Sequence, residues 1–84
     1  MLDDIRKKID DIDNSMKPLF LERLSCSRQV AEAKAKTKEE VYVPKREEEI
    51  IADRSKDTEG ETQEAYTAFL KDVMQIAGDI NMEF

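Results

Sequence analysis

From Leu2 to Lys36 the chain contains no glycine and a single proline, Pro18, and its apolar residues recur at alternating steps of three and four. They fall at Leu2, Ile5, Ile9, Ile12, Met16 and Leu19, and resume at Cys26, Val30 and Ala33. That spacing is a heptad seam on one long helix. A helix of about 35 residues is roughly 50 Å long at 1.5 Å per residue. Such a rod is too long to be covered within a lone chain of 84 residues. Its seam therefore calls for a second copy or for another long helix. Pro18 removes one backbone hydrogen bond, so a bend is expected near residues 14–18.

The rest of the chain continues in helices. Val41-Tyr42-Val43 precedes Pro44, and the residue before a proline is steered away from helix. Pro44 then suits the first turn of a second helix, which runs to about Ser55. A loop is expected around Lys56–Gly60. Thr58 and Glu61 have the spacing of a capping box, which would open a third helix. The apolar row of that helix is Ala65, Phe69, Val73, Ile76 and Ile80, again at three and four. The expected fold is all-α, with one long, one short and one medium helix in one domain, 1–84. With two glycines, two prolines and 6% aromatic residues, the composition disfavours a β-sandwich.

Charge and residue types exclude several functions. The net charge of −6 argues against nucleic acid as a partner. There is no histidine and one cysteine, Cys26, so neither a metal site nor an intrachain disulfide is expected. Cys26 reads as a small core residue, since no histidine can activate it. Met1-Leu2-Asp3-Asp4 lacks the apolar stretch of a signal peptide, and no apolar run is long enough to span a membrane. A cytoplasmic setting is the expectation.

One position breaks the seam. Continuing from Leu19 the pattern lands on Arg23 before it reaches Cys26. A guanidinium on an apolar seam is costly unless an anion meets it. Lys34 lies eleven residues on, almost three full turns, so it shares the face of Arg23 about 16 Å away along the axis. Two side chains reaching toward each other leave a gap of a few ångströms, about the size of a small dicarboxylate. The plain alternative is that both cations pair with acids such as Glu22 or Glu47. Arg6 is roughly 25 Å from Arg23 along the same helix, so it could join only from an antiparallel second chain. Beside Lys7 and Lys8 it also reads as an ordinary solvated cluster.

These residues resemble a known family. Leu2-Asp3-Asp4-Ile5-Arg6-x-x-Ile9-Asp10-x-Ile12-Asp13 is similar to the opening of the all-helical (class II) bacterial chorismate mutases. Leu21-Glu22-Arg23 and Val30-Ala31-Glu32-Ala33-Lys34 resemble the next two blocks. Val41-Tyr42-Val43-Pro44-x-Arg46-Glu47-Glu48-Glu49-Ile50 resembles the loop and second helix. The match is close over the first 50 residues and weaker over the third helix. The resemblance implies an intertwined six-helix homodimer with two shared active sites. Arg23 and Lys34 of one chain, with Arg6 of the other, would bind the carboxylates and ether oxygen of chorismate. Glu47 would bind its hydroxyl. Ala77 and Asn81 would complete a pocket whose substrate-binding positions also include Val43 and Arg46. The family usually has an acid at the position of Val43, often a serine at that of Ala77 and usually a glutamine at that of Asn81. Asn81 keeps the amide but is one methylene shorter.

The implied reaction suits the composition. The rearrangement of chorismate to prephenate, in phenylalanine and tyrosine biosynthesis, is unimolecular and requires no nucleophile, general base or cofactor. Holding the reacting side chain over the ring supplies much of the acceleration. A cation or amide at the ether oxygen favours the transition state as that bond breaks. Lys34 and Asn81 are the candidates. Two other readings stay open from sequence: a lyase that removes pyruvate from isochorismate, and a weak or non-catalytic helical module for dimerisation or regulation. The resemblance also leaves open that the chain is one domain of a larger fused protein, since such fusions are common in the family.

Overall fold

The computed structural model describes residues 1–37 and 44–81, apart from the side chains of Pro44 and Asn81. Expectations resting on Val41, Tyr42, Val43 and the Asn81 amide lie outside the described residues. Three helices follow in order: α1 (Leu2–Thr37), α2 (Pro44–Ser55) and α3 (Gly60–Asn81). The described residues contain no strand.

α1 has its charges arranged to suit a helix. Asp3 and Asp4 lie in the first turn, and Lys34 and Lys36 in the last. Each sign sits at the helix end whose partial charge it offsets. The Thr37 hydroxyl donates to the Lys34 carbonyl at 3.2 Å, which helps close the last turn. The helix continues uninterrupted through Pro18. Three residues earlier, the Ser15 hydroxyl donates to the Asp11 carbonyl at 3.1 Å.

The corner between α2 and α3 corrects the expected capping box. Thr58 does not cap α3. Its hydroxyl donates to the Ser55 carbonyl at 2.6 Å, and its amide N–H donates to the same oxygen at 3.0 Å. Thr58 thus finishes α2. The first α3 bond runs from the Gln63 N–H to the Glu59 carbonyl, and Gly60 takes φ +58° between them. That left-handed value favours glycine, which has no Cβ to clash.

α3 packs against both other helices, and among the described residues α1 and α2 do not pack on each other. Among the described residues the buried apolar ones are Leu70, Val73, Met74 and Ala77 of α3 with Ala31 of α1. The row expected for α3 is therefore displaced. Val73 is buried, but Ala65, Phe69, Ile76 and Ile80 are exposed. Leu70, Met74 and Ala77 each follow a residue of the expected row by one position. One residue is about 100° around a helix, so the sheltered arc is turned by that much. The cause is the central place of α3, whose two neighbours cover an arc different from its most apolar one.

The chain alone does not close on itself. Its extents are 54 × 27 × 16 Å and its radius of gyration is 15.8 Å. A compact domain of this length would have about 12 Å. The difference comes from α1, whose residues 1–19 are all exposed. Ile5 is 53% and Leu19 65% exposed, and Ile9, Ile12 and Met16 are about half exposed between them. Cys26, expected in a core, is exposed as well, because it lies on this same bare seam. A continuous apolar row of this length on a surface is unusual unless it serves as an interface.

Candidate functional site

The second half of α1 is sheltered along a row of its own. Phe20, Leu24, Ser27 and Lys34 are half-buried and Ala31 is buried, at steps of four, three, four and three. This row is not the seam. At about 100° per residue, Arg23, Lys34 and Ser27 fall within an arc of about 40°. On one side of that arc are Phe20, Leu24 and Ala31, which face α3. On the other side are Leu19, Cys26, Val30 and Ala33, which are bare. The two cations singled out by sequence thus stand on the border between a packed face and an unpacked one. A body laid on the bare seam would run alongside them.

Arg23 itself is exposed in the single chain, so the burial penalty inferred from its seam position does not arise there. It would arise when the seam is covered. Lys34 is half-buried. Neither Arg23 nor Lys34 bonds to Glu22 or Glu47. Arg6, Arg23, Lys34, Arg46 and Glu47 form no ion pair and no side-chain hydrogen bond with any described residue. An ion pair among the described residues, Lys56 to Asp53 at 3.2 Å, lies elsewhere and is exposed. The plain expectation that protein acids satisfy these cations is not met among the described residues.

α2 brings Glu47 to the other side of α3. Glu47, Ile50 and Ile51 are half-buried and Ser55 is buried, while Arg46, Glu48 and Glu49 are exposed. Since α2 packs on α3 alone among the described helices, that row faces α3. Of three consecutive glutamates, Glu47 is the one turned inward. Its position is held by the corner at the far end of α2. There the Ser55 carbonyl also accepts a bond from Gln63 Nε2 at 3.0 Å.

α3 supplies the remaining positions. Ala77 is 5% exposed, in the buried arc. One turn on, Ile80 lines a shallow open groove with Leu21, Leu24, Ser25 and Arg28 of α1. The last turn of α3, which ends at Asn81, therefore meets α1 at residues 21–28. Arg6 is not brought to the others. It is exposed and roughly 25 Å from Arg23 along α1. Val43 lies outside the described residues. One member of the α1 row, Ser27, carries no charge and leaves no mark in the charge pattern. Gln63 is likewise silent in sequence, since its role depends on where the corner places Ser55.

No helix among the described residues is long and apolar enough to cross a membrane. A family model described as chorismate mutase type II matches residues 5–80. No curated protein and no solved structure matches the chain.

Proposed function

The chain belongs to the chorismate mutase type II family, and from that membership we propose that it rearranges chorismate to prephenate as a homodimer with shared sites. The observation that carries the proposal is the placement of Arg23 and Lys34. They share one face of α1, they lie beside a bare apolar seam, and no protein anion among the described residues answers either of them. A dianion the size of chorismate fits the interval between them, and a second α1 on the seam supplies the missing Arg6.

In this reading each residue has a physical task. Arg23 and the partner copy's Arg6 hold the two carboxylates by charge-assisted hydrogen bonds. That grip keeps the enolpyruvyl chain folded over the ring, which removes most of the rotational cost before the reaction begins. Breaking the ether carbon–oxygen bond is concerted with forming the new carbon–carbon bond, and no atom enters or leaves. Negative charge grows on the ether oxygen as its bond stretches. Lys34 and the Asn81 amide answer that charge, and they do so more strongly in the transition state than before it. Glu47 accepts a hydrogen bond from the ring hydroxyl. Arg46, Val43 and Ala77 border the pocket.

The test is the loss of chorismate absorbance with the purified chain, with prephenate confirmed by product analysis and isochorismate assayed in parallel. Saturable conversion to prephenate supports the reading. Pyruvate release from isochorismate without prephenate formation would replace it with the lyase. Turnover of neither substrate at high protein concentration would leave a binding or dimerisation module.

A further inference from the structure

We propose that Ser27 is a further substrate-binding residue of this site, its hydroxyl donating a hydrogen bond to an oxygen of the dianion held between Arg23 and Lys34. The inference rests on the chorismate reading and deepens it by one named contact.

Three observations carry it. The first is position. Ser27 follows Arg23 by four residues and precedes Lys34 by seven, about 6 Å and 10 Å along the α1 axis and within the same 40° arc. Helical side chains lean toward the N-terminus, so the Lys34 stem leans back over the turn of Val30 and Ala31, in the direction of Ser27. The hydroxyl and the ammonium therefore border one small space.

The second is the state of the hydroxyl. Helical serines and threonines commonly return their proton to a carbonyl one turn back. Ser15, Thr37 and Ser55 do so here, to Asp11, Ala33 and Ile51. Ser27 does not. It is half-buried and makes no hydrogen bond with any described residue. Its donor and acceptor are both available on the side where a ligand is expected.

The third is what stands opposite. The last turn of α3 meets α1 along Leu21, Leu24, Ser25 and Arg28, so Ile80 covers the flank of α1 beside the level of Ser27, and Ser27 itself lies outside that groove. Ser27 is half-buried, and partial exclusion of water at its hydroxyl strengthens a hydrogen bond to an anion. A neutral donor also suits the place. Arg23, Lys34 and the partner's Arg6 already exceed the charge of the two carboxylates, so a further cation would be left over.

Three variants test the assignment with chorismate as the probe. Ser27→Ala removes the hydroxyl at a position where alanine favours the helix, so folding is preserved. Ser27→Thr keeps a hydroxyl, and Ser27→Val has the shape of threonine without it. Ser27→Ala and Ser27→Val are expected to lose about ten-fold in kcat/KM, the usual effect of one hydrogen bond to a charged group. Ser27→Thr is expected to stay within about three-fold of the unsubstituted chain, and all three should keep the same dimer dissociation constant. If Ser27→Ala and Ser27→Val turn over chorismate at the unsubstituted rate, the Ser27 assignment fails and the chorismate reading stands. Equal losses in Ser27→Thr and Ser27→Val, or a loss explained by weaker dimerisation, would also overturn the assignment. If the unsubstituted chain converts no chorismate, both proposals fall together.

Discussion

The Gln63 side chain reaches across the corner between two helices and donates from Nε2 to the Ser55 carbonyl at 3.0 Å. Ser55 is the buried polar residue among the described residues, at 6% exposure, and its own hydroxyl donates to the Ile51 carbonyl at 2.6 Å. One carbonyl oxygen thus ties the end of α2 to the first turn of α3. The row Glu47, Ile50, Ile51 and Ser55 is held against α3 as a consequence. Glu47 lies eight residues from that corner.

Gln63→Ala should therefore loosen the corner at a cost of about 1 kcal/mol, since the Ser55 carbonyl retains its two bonds from Thr58. Chemical denaturation would read this as a lower midpoint. If the chorismate reading is right, kcat/KM should fall as well, because Glu47 loses its fixed direction. A stability loss with no change in turnover would separate the corner from the site.

Arg23→Ala should reduce kcat/KM by about 100-fold or more, the scale expected for losing a charged group that fixes and stabilises the reacting dianion. The dimer should survive, because Arg23 is exposed and bonds to nothing described within the chain. Sedimentation and steady-state kinetics on the same preparation check both halves. Retained turnover would remove Arg23 from the site.

Mixing Arg6→Ala with Arg23→Ala chains should restore activity. If each site takes Arg23 from one chain and Arg6 from the other, a hybrid dimer has one intact site and one doubly altered site. Random exchange would recover roughly a quarter of the sites. Chains shown by mass spectrometry to have exchanged, yet still inactive, would count against shared sites.

Ile9→Asp places a carboxylate in the middle of the bare seam. In an isolated chain this half-exposed position would tolerate the change within about 0.5 kcal/mol. In a dimer the carboxylate would be buried without a partner, and dissociation is expected, with loss of helicity as α1 loses its cover. Analytical ultracentrifugation and circular dichroism distinguish the two. An unchanged association state would mean that the seam is not the interface.

The two glycines should respond in opposite directions. Gly60 takes φ +58°, so Gly60→Ala should destabilise by about 1 kcal/mol. Gly78 is an ordinary helical residue with nothing within 4 Å of a Cβ built on it. Gly78→Ala should therefore stabilise by about 0.5–1 kcal/mol in thermal unfolding. Destabilisation by Gly78→Ala would reveal a second body against that face in solution.

Local chemistry was enough to read the helices. Their order and bounds follow from proline and glycine placement and from period-3.6 apolar spacing, all properties of neighbouring residues. The seam of α1 was legible for the same reason, and so was the shared face of Arg23 and Lys34, because one straight helix fixes both by arithmetic. Tertiary structure decided the rest. Which arc of α3 is sheltered depends on two neighbours at once, and it lies one residue away from the most apolar row. Thr58 closes α2 and leaves α3 uncapped by it, because a hydroxyl bonds to whichever carbonyl the corner brings within reach. The inward turn of Glu47 and the unbonded hydroxyl of Ser27 are likewise relations between elements, and no pattern along a single helix encodes them.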